Sequence, residues 1–325
     1  MKTLKTMIMA VALVATPAFA QEAASVAAAP VAAPAAEAAP AAPAFVHAVP
    51  VEGVGMPTAD RIGVQPQVTE IGQEAAFMHN SVLLPLITVI SLFVLGLLLY
   101  VMARYRCAAN PVPSKTSHNT AIEIIWTLVP VLILVAIAVP SIRLLAHQFN
   151  PPKADLTVKV IGNQWYWTFQ YPDNGDFEIV SNMLKEKDQV TGKERARTDA
   201  DGPRLLAVDE RMVVPAGAVV KVITTSNDVI HSFAVPAFWV KMDAVPGRLN
   251  ETWFKVPADK TGVYFGQCSE LCGARHGYMP LAVEVVTPAK FAEWVKSQGG
   301  TMPGEAPAAA AEAPAANAAA PATAS

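Results

Sequence analysis

The sequence predicts a two-helix membrane hairpin followed by an exported, all-β sandwich or barrel. Three observations carry this. Two uncharged apolar runs, 81–103 and 124–142, are each about as long as a helix needs to cross a bilayer. From residue 156 onward, short β-rich runs are punctuated by Gly, Pro, Asn and Asp. The first 20 residues have the order of a secretory signal: Lys2 and Lys5, an apolar stretch 7–15, then Ala18, Phe19 and Ala20 as a cleavage site.

Composition agrees. The 325 residues leave room for more than one domain, and only 16% are charged. Mean hydropathy is +0.34, high for a soluble domain. The net charge of -3 gives no basic footprint, so no nucleic-acid partner is expected. Three cysteines, two of them close together, do not make a disulfide framework.

In chain order, 1–20 is the signal and Gln21 the mature N-terminus. Segment 21–75 is expected to be a disordered tether, most clearly over 22–44, which is almost entirely Ala, Pro and Glu. His47 receives no role. The hairpin occupies 76–150. Pro85 sits near the start of its first run, where a helix tolerates proline, and Pro130 and Pro140 predict a kink in the second. The connection carries Arg104, Arg106 and Lys115 and no acid before Glu123. The segment before the first run sets Arg61 against Asp60, Glu70 and Glu74. The connection therefore faces the cytoplasm and both ends face outward, as the signal also requires. Cys107 and His118 in this connection receive no role.

The exported domain spans 151–298. Strands are expected at 156–161, 218–225, 251–256, 262–266 and 281–286. The mixed-charge stretch 182–204 reads as a solvated hairpin or insertion. A short helix follows Thr287, with Phe291, Trp294 and Val295 on one side. The tail, 299–325, repeats the Ala/Pro composition and is expected to be disordered.

The chemistry is concentrated in 268–279, where Cys268, Cys272, His276 and Met279 fall within twelve positions. Thiolate, imidazole and thioether favour copper among first-row metals. A mononuclear blue-copper loop needs one cysteine, and this loop has two, enough to bridge two ions. The plainer alternative is one disulfide between them. A loop alone would be mobile, so a ligand from another strand is expected. His231, in the apolar run 228–236, is the candidate.

With these residues in place, the chain resembles subunit II of a bacterial haem-copper cytochrome c oxidase over roughly residues 75–298. The resemblance implies a two-helix transmembrane hairpin followed by an all-β cupredoxin-like sandwich. It also implies a dinuclear copper centre, CuA, held by His231, Cys268, Cys272, His276, Met279 and the backbone carbonyl of Glu270. In the aromatic segment 162–171 it makes Trp165 the point where electrons arrive from cytochrome c, while Trp167 reads as core. Asn163 and Gln170 depart from the family's usual residues there. Asp173, Asp176 and Asp228 become candidates for steering a lysine-bearing donor. The Glu270 side chain is implied to bind magnesium or manganese shared with subunit I, an oxygen ligand suited to a hard cation. Glu123 is implied to mark the mouth of a proton path into subunit I.

The implied partners are subunit I, which bears haem and copper, subunit III, cytochrome c and membrane lipid. The implied place is the bacterial inner membrane, with the N-terminus and the sandwich on the periplasmic side. Three rival readings account for less of the sequence. A quinol oxidase subunit lacks the thiolate and histidine ligands present here. A membrane-anchored copper carrier leaves Glu123 and Trp165 without a purpose. The copper domain of a nitrous oxide reductase lacks the hairpin.

Overall fold

The computed structural model describes residues 45–60 and 62–305. The proposed signal, the first part of the tether and most of the tail lie outside the described residues.

The chain forms helices where apolar runs are long and unbroken. Helix α1 (Glu70–Phe77) starts at Thr69, whose side chain accepts a hydrogen bond from the Gly72 amide. A wider π-type turn, Met78–Leu83, joins it to α2 (Leu84–Arg104), so the helix runs continuously from Glu70 to Arg104. Helix α3 (Thr120–Phe149) is capped by Asn119 and passes through Pro130 and Pro140. None of the residues of α2 or α3 is buried. Such apolar surfaces are stable only against lipid or other membrane helices.

Ten strands follow. Five form one sheet: β1 (Leu156–Asn163), β2 (Tyr166–Tyr171), β3 (Phe177–Ser181), β5 (Val219–Ser226) and β8 (Asn250–Lys255). The other five are β4 (Met212–Pro215), β6 (His231–Val235), β7 (Val240–Ala244), β9 (Gly262–Cys268) and β10 (Pro280–Val286). The orders are β3-β2-β1-β5-β8 and β4-β10-β9-β6-β7. The two sheets enclose a core with Val158, Val160, Trp167, Phe169 and Val222 from one side and Phe233, Val235, Leu281 and Val283 from the other. The β domain is thus a sandwich. Helix α4 (Pro288–Ser297), capped by Thr287, buries Trp294 against Tyr171 and Phe177.

All five expected strands are present, within two residues of their expected ends. β3, β4 and β7 carried too little pattern to be read. β4 has four residues and ends in Pro215, and β7 mixes Lys241 and Asp243 into an apolar run.

Two expectations of disorder need correction. Within 21–75, residues 45–75 are folded. Phe45, Val54 and Val68 pack on the core, the Phe265 amide donates to the Gly55 carbonyl at 2.8 Å, and α1 begins at Glu70. The cause is a buried carboxylate on β10. Glu284 Oε2 lies 2.7 Å from His47 Nδ1 and 3.1 Å from Arg211 Nη1, and Oε1 accepts from the Ala48 amide at 2.7 Å. Arg211 also donates to the Ala48 carbonyl at 2.7 Å. A buried charge needs such partners, and the strap 45–56 supplies them. At the other end, Gly299 turns left-handed (φ 76) after α4. Thr301 then donates its amide to the Asn174 carbonyl at 3.0 Å. Order therefore extends past residue 298.

Candidate metal centre

His231 opens β6 and is fully buried. β6 pairs with β9 at Phe233–Cys268, which sets His231 beside the end of β9. The β9–β10 loop then brings Cys272, His276 and Met279 back over it. The Cys268 amide donates to the Met279 carbonyl at 3.0 Å and closes the loop at its base. The Ser269 amide donates to the Ser232 carbonyl at 3.0 Å and ties the loop to β6.

Cys268 Sγ lies 3.8 Å from Cys272 Sγ and 3.8 Å from His231 Nδ1. Cys272 Sγ lies 3.6 Å from His276 Nδ1. The carbonyl oxygen of Glu270 is 3.3 Å from Cys268 Sγ, and Met279 is buried in the same cluster. Both cysteines are free thiols, so the disulfide alternative is not realised. The ligand atoms of His231, Cys268 and Cys272 all fall within 4.8 Å of one another. His276 stands outside that group, on the Cys272 side. Two ligands at roughly 2.0–2.3 Å from one first-row ion span separations of this size at near-tetrahedral angles. The donor set therefore fits metal, and each thiol has its own histidine.

Electrostatics agree. Burial pushes the Cys268 thiol up, but His231, the loop backbone and His276 outweigh it and bring it to about 6. Burial and the charge on Cys268 push Cys272 up to about 12. Two thiolates this close repel unless a cation lies between them. His231 Nε2 is 2.9 Å from Asp228 Oδ1. With Nε2–H donating there, the Nδ1 lone pair is free to face Cys268. Gly162 lies against the ring. A Cβ at Gly162 would come within 2.9 Å of three His231 atoms, so only glycine leaves the imidazole its place.

Trp165 is half-buried and donates Nε1–H to the Cys272 carbonyl at 3.2 Å. Gln164 Nε2 donates to the same oxygen at 3.0 Å. Trp167 packs edge-on to His231, with ring centroids 5.9 Å apart.

Two family models match the chain. One is the cytochrome c oxidase subunit II transmembrane domain, over residues 57–144. The other is the periplasmic domain of the same subunit, over 156–286. A probable cytochrome c oxidase subunit 2 of Rickettsia bellii is 50% identical over 242 residues, 74% of this chain and 86% of the relative. The chain belongs to the cytochrome c oxidase subunit II family. The cytochrome c oxidase subunit 2 of Cereibacter sphaeroides is 42% identical over 263 residues, 77% of this chain and 85% of that relative. The crystal structure of the periplasmic domain of subunit II of cytochrome oxidase of Bradyrhizobium japonicum is 54% identical, with a TM-score of 0.40. It covers 46% of this chain and 96% of that one.

As a member of this family, the chain is a membrane-spanning subunit of a respiratory oxidase, with a cupredoxin-like domain on its hairpin. Within this subunit II, the three acids proposed for docking do not form one patch. Asp173 and Asp176 follow the far end of β2, whose six residues put about 17–20 Å between them and Trp165. Asp173 caps the Thr157 amide at 2.7 Å, and Asp176 accepts from Gln170 at 2.9 Å. Asp228 is near the centre but engaged, by His231 and by the Gln164 amide at 2.7 Å. The charges beside Trp165 come instead from the 182–209 region and the β9–β10 loop. Lys185, Glu194, Arg195, Asp209, Arg275 and Tyr278 share a 390 Å³ cleft with it. Glu270 is exposed while its carbonyl faces Cys268. Glu123 lies in the first turn of α3 and accepts from the Asn119 amide at 3.2 Å, far along the chain from the thiols. The Asp228–His231 pair had a sequence signal in its three-residue spacing. Gln164 and Gly162 had none, because only the packing of β1 and the turn after it against β6 and the β9–β10 loop brings them to the centre.

Proposed function

We propose that the chain takes electrons from cytochrome c at a dinuclear copper centre, CuA, and passes them toward haem in subunit I for oxygen reduction coupled to proton pumping. The observation that carries this is the pair of thiols 3.8 Å apart, each with its own histidine at 3.6–3.8 Å. His231, Cys268, Cys272, His276, Met279 and the Glu270 carbonyl would hold the metal. Bound copper supplies one-electron redox chemistry with little ligand rearrangement. The protein's part is to keep those ligands fixed. Asp228 orients His231, Gly162 leaves room for its ring, and two hydrogen bonds pin the Cys272 carbonyl. Trp165 joins the solvent-facing surface to that carbonyl, which supports its role in receiving electrons. The exposed Glu270 side chain is free to hold magnesium or manganese with subunit I. Subunits I and III would cover the bare faces of α2 and α3.

The full chain loaded with copper should bind two coppers and show a purple, valence-delocalised spectrum by optical and electron-spin measurements. One copper with a blue-copper spectrum would sink the dinuclear reading. In the assembled complex, Glu270→Gln should lose the magnesium or manganese.

Arg104 at the end of α2, with Arg106 and Lys115 on the helix connection, supports a cytoplasmic connection and a periplasmic sandwich in the bacterial inner membrane. On that topology Glu123 stands at the cytoplasmic mouth of α3. Glu123→Ala should slow turnover severalfold at unchanged copper content, as loss of one proton-path carboxyl would. Normal turnover removes Glu123 from the path.

A further inference from the structure

The first turn of α1, the last turn of α3 and the sandwich enclose a cavity of about 390 Å³. This is within the usual size of a small-molecule site. Its floor is aromatic: Phe238, Trp239, Trp253 and Phe254. The floor is held firmly. Trp253 Nε1 donates to the Gln148 carbonyl at 3.0 Å, and Gln148 Nε2 donates to the Trp239 carbonyl at 3.3 Å. Thr69 donates its hydroxyl to the Phe238 carbonyl at 2.9 Å. Trp239 itself is held left-handed (φ 59), a costly conformation for a bulky residue that tends to mark functional sites.

Two further features say what the cavity takes. The first is depth. His147 on its wall is five residues beyond Ile142, where the apolar run of α3 ends. At 1.5 Å per residue that is about 7 Å above the hydrocarbon, the level of lipid headgroups. Tryptophans gather at that level. The second is charge. Lys255 and Glu70 both line the cavity, and neither makes an ion pair among the described residues. His147 is already paired with Glu74 at 3.2 Å. One free cation and one free anion above an aromatic floor match a zwitterion.

We propose that this cavity binds the headgroup of an aminophospholipid, with its phosphate at Lys255 and its primary ammonium at Glu70 over the tryptophan rings. Phosphate gains a charge-assisted hydrogen bond, and the ammonium gains a carboxylate and a π-face. Phosphatidylglycerol offers the same phosphate to Lys255 but only a neutral glycerol to Glu70, which leaves that carboxylate without a cation. The site stands apart from the copper reading and is read without turnover.

The full chain is reconstituted in nanodiscs of equimolar phosphatidylethanolamine and phosphatidylglycerol, extracted into mild detergent and weighed by native mass spectrometry. One retained phosphatidylethanolamine per chain is expected, favoured over phosphatidylglycerol by about tenfold. Lys255→Glu and Glu70→Gln, both at exposed positions, should each lower that retention by about tenfold with the circular dichroism spectrum unchanged. No retained lipid, equal retention of the two lipids, or wild-type retention in both variants would overturn the proposal.

Discussion

Trp165→Gln should leave the copper spectrum intact and slow cytochrome c oxidation by about two orders of magnitude, the scale on which lost reacting geometry is felt. The structure explains why the two effects separate. The Cys272 carbonyl accepts from both Trp165 and Gln164. Removing the indole leaves Gln164 in place, so the loop keeps its anchor and the thiols their spacing. What is lost is the half-exposed ring that links the surface to the loop. Stopped-flow mixing with reduced cytochrome c, beside an optical spectrum of the same sample, tests both halves. An unchanged rate removes the role of Trp165. A collapsed spectrum makes the residue structural.

The second large effect is on stability. Glu284→Gln keeps the side chain's shape but leaves Arg211 buried without its carboxylate partner. Breaking a buried ion pair from one side costs about 3 kcal/mol or more, roughly 6–12 °C in Tm for a domain of this size. The pH dependence has a definite sign. Burial pushes the Glu284 carboxyl up, but His47, the Ala48 amide and Arg211 outweigh it and hold it below its ordinary value. A carboxyl depressed in the folded state contributes stability above its unfolded pKa of about 4.3 and loses it as pH falls through the folded value. The native chain should therefore lose stability on acidification below about pH 4 more steeply than Glu284→Gln. Thermal unfolding followed by circular dichroism at pH 7 and at descending acid pH measures both. Equal melting of the two proteins at pH 7 would show that the Glu284 carboxylate clasp contributes nothing.

The metal loop was legible because its chemistry is crowded into twelve residues, and few physical causes put two thiols, an imidazole and a thioether so close. His231 was legible because the loop needed a partner from another strand. The membrane helices were legible from length and missing charge. The strap was not, because Ala and Pro dominate the composition just before it and a windowed reading carries that bias forward. The signal lay elsewhere, in Glu284. A lone acid inside Leu281, Ala282, Val283, Val285 and Val286 must find buried partners, and His47 and Arg211 are those partners. That the three acids do not share one patch was not legible for a different reason. Nearness in sequence to Trp165 says little when a strand carries the chain away from it.

The clasp between His47 and Glu284 joins residues 237 positions apart. During synthesis the strap leaves the ribosome first, and β10 is the last strand made. At about 5–20 residues per second, the strap waits on the order of ten seconds or longer for its carboxylate. The β9–β10 loop ends where β10 begins, so His231 on β6 is made well before the last side chain of the thiol cluster. The domain's final pairing and the completion of its metal pocket are thus nearly one event on the clock of translation.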